Sequence, residues 1–503
     1  MAKSKNVVKA VATVTVFSVF TRGLSFIFKI YLSRALGAEV VGQYQICISM
    51  FYMFACFSSS GIPLVLSRKT AETRALKKEG ESALLTSALL LGICVSLTVF
   101  GVLSIAKPLL PKLLSDKRTA PMIAVMLPAI ISTTIYNIIR GWFWGRKQFT
   151  SFSITETVEE VFRILFSALF VSGVISGLSG AYGIALAFTV SDVLVAALLL
   201  IMFFAKGGKL DKPSKIKEIL LPSIPITVMR LFGNLISALI AVVLPARLMA
   251  AGFSVSQATA GFGRIAGMAN PLLLAPNAII SSLAIVLIPE MSENRVKSDY
   301  KSLNRNLNGG INFSLIISGA FLCCFFALGK QLTTFLFKDE ISGKYLSYAA
   351  FTMLPMCVSH LTQSALNSIG KELRAFINFM ISMSAMVLGI YFLPKYMGLY
   401  SVAMATALSQ ILSSALNLAA LKKHTGFRQY FARTLILVGL LCLPCAYFAY
   451  SVYGIMSKFL GHFALLLALP AGAAMYAVLC ALTELVDIKA FLKLRTANKF
   501  VII

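Results

Sequence analysis

Apolar runs of about the twenty residues that a bilayer crossing needs follow one another along the whole chain, separated by short polar segments rich in Lys and Arg. Fourteen helices are predicted, at about 7–33, 41–67, 82–106, 120–144, 154–176, 181–205, 218–246, 258–289, 309–330, 345–369, 375–393, 398–421, 431–451 and 459–483. The first run follows Lys3, Lys5 and Lys9 as a signal sequence would. Its length, the Arg22 within it and the thirteen runs behind it predict a retained span instead. An even number of crossings puts both termini on one side. With that parity, 29 of the Lys and Arg residues fall in loops on the terminal side, 11 on the other and 6 inside spans. The termini are therefore predicted to be cytoplasmic. Trp142 and Trp144, beside Arg146 and Lys147, are expected to be interfacial anchors.

Composition agrees with this pattern. Of 503 residues, 58% are hydrophobic and 13% charged, and the mean hydropathy is +0.84. No water-soluble fold hides that much apolar surface. The net charge of +27 would suggest nucleic acid in a polar chain. Here the basic residues cluster between apolar runs, which excludes that reading and fits an all-α integral membrane protein. Nine cysteines lie in or at the ends of apolar runs, so no disulfide framework is implied. Cys442 and Cys445 have metal-site spacing but surround Pro444 in a lipid-soluble run with no partner pair, and no metal or cofactor is expected.

Several segments recur 218 to 227 residues apart in the same order. Leu64-Val65-Leu66 with Glu72 matches Val286-Leu287-Ile288 with Glu293, and Met126-Leu127-Pro128 matches Met353-Leu354-Pro355. Gly145-Arg146 matches Gly370-Lys371, and the run Ala181 to Ala187 matches Leu399 to Ala405. Two six-helix lobes are predicted, residues 1–217 and 218–430, followed by two further spans and a basic cytoplasmic tail in 431–503. Six is even, so the lobes share one orientation and a pseudo-twofold axis along the membrane normal, with a cavity between them.

Six basic residues lie inside spans: Arg22, Lys29, Arg140, Arg163, Arg230 and Arg264. Each costs roughly 2.5–3.5 kcal/mol near the bilayer centre unless it meets water, a partner or a ligand. Arg140, near a span end, is expected to snorkel. Arg163 is expected to pair with Glu159 at i,i+4. Arg22 differs, because Thr15, Ser18, Arg22, Ser25 and Lys29 stack on one helical face. In the repeat mate of that span, Ser223, Thr227, Arg230, Asn234 and Ser237 do the same. The second span offers Gln45, Ser49, Tyr52 and Ser59. Its mate holds Arg264 and then Asn270-Pro271 and Pro276-Asn277, whose prolines free backbone carbonyls at membrane depth. These four spans are the expected walls of a cationic cavity. The candidate substrate-binding residues are Arg22, Ser25, Lys29, Gln45, Tyr52, Arg230, Asn234, Arg264 and Asn270. Guanidinium forks match phosphate oxygens, so the expected ligand is a phosphate-bearing anion.

The stretches Thr21-Arg22, Leu36-Gly37-Ala38-Glu39-Val40-Val41-Gly42-Gln43-Tyr44 and Gly61-Ile62-Pro63-Leu64-Val65-Leu66-Ser67-Arg68 resemble the amino-terminal signature of the stage V sporulation protein B-like group. That group belongs to the polysaccharide transporter branch of the multidrug/oligosaccharidyl-lipid/polysaccharide (MOP) exporter superfamily. The run from Pro271-Leu272-Leu273 to Pro289 and Glu293 resembles the same branch and the related lipid II flippases. The resemblance implies a two-lobed flippase in the bacterial cytoplasmic membrane. It would move an undecaprenyl-diphosphate-linked saccharide, a peptidoglycan precursor or polysaccharide unit, outward by alternating access, with cell-wall synthesis proteins as expected partners.

In the lipid II flippases, arginines of the first, second and eighth spans read the diphosphate. Arg22 and Arg264 carry over to the first and eighth. The second span has none, and Arg230 is the expected substitute. Where some members hold sodium with carboxylates in the seventh and eleventh spans, Asn234 and Asn378 stand here, which argues against sodium coupling. The last two spans, 431–483, would form a groove for the lipid tail. The rivals are a cation-exporting multidrug extruder, which needs buried carboxylates, and a membrane glycan transferase or polymerase, which needs an acid/base constellation that the sequence does not offer.

Overall fold

The computed structural model describes residues 2–76, 80–172, 180–214 and 216–485, with side chains throughout except at 2–15, 284–286, 288 and 289. The basic tail from Lys489 to Lys499, Lys77, Lys78 and Lys215, and the side chains of Lys3, Lys5 and Lys9 lie outside the described residues. Nearly everything described is helical, and no strand occurs among the described residues. The chain divides into two compact units, Met1–Met249 with Phe253–Gly263, and Ala250–Gly252 with Arg264–Ile503.

The first unit opens with α1, Ala2–Ser59, whose 58 residues are far more than one crossing needs. Gly37 breaks it at φ 79°, a conformation that side chains with a Cβ avoid. Two expected crossings thus run in tandem. Helices α2 (Gly61–Ala75) and α3 (Glu81–Ile105) follow, then the single turn α4 (Leu110–Leu113). Helices α5 (Thr119–Met126) and α6 (Ala129–Gly145) bend by 45° across Pro128, within one expected span. The unit is completed by α7 (Phe149–Val171), α8 (Gly180–Ala205), α9 (Ile216–Ala250) and α10 (Val255–Phe262).

Its core joins Leu66, Leu85, Ile138, Phe143 and Phe203. Trp142 belongs to this core, 3% exposed and edge-on to Phe203 at 4.9 Å between ring centres, with the Arg146 guanidinium 4.3 Å above it. The anchoring expected of Trp142 is therefore corrected: the helix turns its indole inward. Helix α10, part of the eighth expected span, packs on α1 through facing glycines. A Cβ on Gly42 would collide with the Thr259 carbonyl, and one on Gly263 with the Ala38 carbonyl.

In the second unit a π-helical turn, Gly263–Ala269, leads through α11 (Asn270–Leu273) into α12 (Ala275–Val296), with a 40° bend between them. The break falls where Pro271 and Pro276 were expected to free carbonyls. Then come α13 (Tyr300–Phe337), α14 (Glu340–Ala349), α15 (Met353–Ser368), α16 (Glu372–Phe392), α17 (Pro394–Met397), α18 (Ser401–Thr425), α19 (Ala432–Leu460) and α20 (Leu465–Leu482). Leu307, Ile311, Leu361, Leu366 and Leu421 form its main core, and α19 and α20 pack along α13.

Eight described helical stretches are long and apolar enough to cross a membrane, ten when the bent pairs each count as one. Val16–Ala75 and Ala432–Leu482 each contain two expected crossings in tandem. Two expected crossings carry weaker signals, because α7 holds three glutamates and an arginine and α15 is only 16 residues long.

Candidate functional site

The polar stripe of the first span opens onto a cavity of about 520 Å³ inside the first unit. Ser18, Thr21, Arg22 and Ser25 of α1 form one wall. Arg140 and Trp144 of α6, and Phe152, Glu156, Glu159 and Glu160 of α7, form the others. The Thr21 and Thr157 hydroxyls share a hydrogen bond of 3.0 Å, tying α1 to α7.

The cavity carries carboxylates as well as cations. Three carboxylates line it because Glu156, Glu159 and Glu160 occupy one face of α7, which packs against α1. Arg140 does not snorkel to the interface. It pairs with Glu156, and its guanidinium lies 4.6 Å from the Trp144 ring centre and 5.2 Å from that of Phe152. Arg163, buried behind the wall, pairs with Glu159 as expected and donates to Glu160 at 2.9 Å. Lys29 lies within electrostatic reach of Glu160. Asp192 of α8 accepts hydrogen bonds from Ser132 and Thr133. Four cations, Arg22, Lys29, Arg140 and Arg163, thus balance the four carboxylates Glu156, Glu159, Glu160 and Asp192. Among the described residues, Arg22 alone of the three cavity-side arginines has neither an ion pair nor a hydrogen bond.

The other candidates are distributed more widely. Tyr52 is half exposed, edge-on to Phe51, and within reach of the Arg163 and Glu159 charges. Gln45 is half-buried and receives the Ser49 hydroxyl at its carbonyl. Ser223 and Thr227 of α9 abut Gly61, and Arg230 reaches the Ser60 carbonyl at 3.4 Å. The lower part of that stripe therefore faces the junction of α1 and α2. Asn234 is half-buried farther along α9. In the second unit, Arg264 is not a free cation: its Nε donates to Asp339 Oδ2 at 2.8 Å. Asn270 starts α11 and lends its carbonyl to Leu274. Asn378 is fully buried and donates to Asn417 at 2.9 Å, a helix-to-helix contact.

Two elements of the site lie outside the candidates read from the sequence. The glutamates of α7 recur at i, i+3 and i+4, the helical spacing that also singles out Arg22. The second is a polar knot in the loop before α5. Asp116, 1% exposed, accepts from Gln43 at 3.1 Å, from Thr259 at 3.3 Å and from Arg118 at 2.8 Å, and Arg118 also reaches Glu39. Burial alone would raise the Asp116 carboxyl. The hydrogen bonds from Arg118 and Gln43 outweigh it and hold the carboxyl below its usual range.

Bent helices, paired charges at membrane depth and a polar chamber are features of a multi-pass membrane transporter. The fold agrees. It matches the solved structure of the lipid II flippase MurJ in an inward closed conformation, with a TM-score of 0.74 over 93% of this chain and 98% of that one at 14% identity. An inward-facing MATE family multidrug transporter of the MOP superfamily matches with a TM-score of 0.68 over 80% and 96%, also at 14% identity. The family model described as polysaccharide biosynthesis protein matches residues 7–295, and the chain belongs to that family. It is 24% identical to stage V sporulation protein B of Bacillus subtilis (strain 168) over 431 residues, 80% of this chain and 81% of that protein. It is 19% identical to the lipid II flippase MurJ of the same organism over 466 residues, 84% of each chain.

Proposed function

We propose that the protein is a flippase that carries an undecaprenyl-diphosphate-linked saccharide across the bacterial cytoplasmic membrane. The reading includes fourteen crossings, two six-helix lobes, cytoplasmic termini and alternating access. Family membership and the kinship with MurJ support it. The observation that carries it is the uncommitted Arg22 guanidinium beside a chamber where Arg140 is already oriented.

The chemistry follows from competition. A diphosphate entering the chamber meets Arg22 first, and its oxygens then exchange with the Glu156 carboxylate for Arg140. The carboxylates hold the arginines in place when no ligand is bound and reclaim them when it leaves. Release is thereby favoured, because a site that bound equally well in both states would shift nothing. An inside-negative potential assists outward movement of two negative charges by roughly 4.6 kcal/mol per 100 mV.

One observation favours a second reading. The three glutamates supply the carboxylates that a cation extruder of the MATE type needs. Proteoliposomes separate the two. Leaflet accessibility of an undecaprenyl-diphosphate disaccharide should change with wild type and not with Arg22→Ala. Unaltered movement with Arg22→Ala, or export of a cationic dye without lipid movement, overturns the flippase reading.

A further inference from the structure

An apolar trough on the second unit ends in a basic mouth, and neither belongs to the chamber around Arg22. The trough, about 690 Å³, runs along α18 between Met404 and Leu418 and is closed by Phe351, Val358 and Leu435. The fourteen residue steps from Met404 to Leu418 give it a length of roughly 21 Å. That exceeds the ~15 Å of one leaflet of a hydrocarbon core. Its one mid-trough hydroxyl, on Ser414, is spent on the Gln410 carbonyl at 2.8 Å and the Pro355 carbonyl at 3.2 Å. The middle of the trough therefore offers a chain mainly apolar contact, with Tyr348, Thr352 and Gln429 also in its lining.

At Leu418 and Gln429 the trough meets a smaller cavity of about 370 Å³, lined by Lys422, Phe427 and Arg428. The loop that forms this mouth is fixed from behind. Buried Asn308 of α13 donates to the Arg428 carbonyl at 2.9 Å and accepts from the Tyr430 backbone N–H at 2.9 Å, while Phe427 is 3% exposed and plugs into the core. Lys422 and Arg428 have no acidic partner among the described residues. Lys371, Arg374 and Lys423 gather around His424 beside them.

We propose that this trough and mouth form a binding site for an anionic phospholipid of the inner leaflet, with one acyl chain along α18 and the phosphate between Lys422 and Arg428. The assignment rests on the orientation proposed above, which puts residues 422–433 at the cytoplasmic face, where basic pockets meet anionic headgroups. The chemistry of the lining selects the occupant: Lys422 and Arg428 match a phosphate headgroup, and the apolar trough beside them matches an acyl chain.

The test uses the full chain in detergent micelles, with bound lipid read by native mass spectrometry and by thermal shift. Phosphatidylglycerol should be retained in preference to phosphatidylcholine. The double variant Lys422→Ala/Arg428→Ala should lose about thirtyfold in affinity for it, whereas Arg428→Lys should keep most of the binding. Ile411→Trp, which narrows the trough without touching a charge, should also lower retention, and glycerol 3-phosphate should compete with nothing. Wild-type retention by both the double variant and Ile411→Trp overturns the site. Stoichiometric displacement of phosphatidylglycerol by undecaprenyl diphosphate overturns the assignment to a phospholipid. Since the readout is lipid retention, Arg22→Ala should bind phosphatidylglycerol normally, and a failure of the flippase reading is seen separately in the transport assay.

Discussion

Arg264 and Asp339 stand seventy-five residues apart and share a 2.8 Å hydrogen bond, while the second Asp339 oxygen accepts the Ser342 backbone N–H at 2.7 Å. One carboxylate thus neutralises an arginine of the π-helical turn and caps the start of α14. Asp339→Ala should remove both, and loss of the cap alone costs about 1 kcal/mol. Asp339→Asn keeps the cap and loses the charge, so it should unfold between wild type and Asp339→Ala in a thermal melt. An Asp339→Asn protein as unstable as Asp339→Ala would put the whole effect on the ion pair.

Arg22 and Arg163 should separate function from folding. Arg22 carries no partner, so Arg22→Ala is expected to abolish lipid movement with a melting temperature near that of wild type. Arg163→Ala strands two buried glutamates, and breaking such a pair costs about 3–5 kcal/mol. Reduced expression and an early melt should accompany it. Equal destabilisation by the two substitutions would make Arg22 a structural residue.

The Asp116 knot should make stability sensitive to acid. The folded-state carboxyl is held below its usual range, so its contribution is fully present above the ordinary carboxylate value, about pH 4. It is lost as pH falls through the lower folded-state value. Asp116→Asn should flatten that acid limb when melting temperature is followed from pH 7 downward. An unchanged acid limb would assign it to other carboxylates.

Gly42 and Gly263 allow α1 and α10 to approach backbone to backbone. Gly42→Val places a branched side chain against the Thr259 carbonyl and should pull Thr259 away from Asp116. Accessibility of a cysteine at Ala258, fully buried in the native packing, to a membrane-impermeant maleimide is expected to rise at least severalfold. No rise would mean that this approach does not hold α10 against α1.

Much of the fold was legible in the sequence because it depends on local properties. Apolar runs fix helices and their membrane placement, since lipid offers the backbone no other hydrogen-bond partner. Pro271 and Pro276 marked a break that the chain makes, and the i,i+4 spacing of Glu159 and Arg163 announced a pair inside one helix. What α7 contributes to the Arg22 chamber was not legible, because the meeting of Glu156 with Arg140 depends on which faces of α6 and α7 turn together. The inward turn of Trp142 has the same origin.

Residues in loops were hardest to place. Asp116 and Asp339 lie outside the spans and are no part of the polar stripes, yet tertiary packing buries one and sets the other on an arginine. That this is a helical membrane protein with costly cations at depth is readable along the chain, because hydropathy and charge act position by position. Which of those cations are neutralised and which, like Arg22, carry no partner follows from tertiary packing, because ion pairing is a relation between helices that hydropathy does not encode.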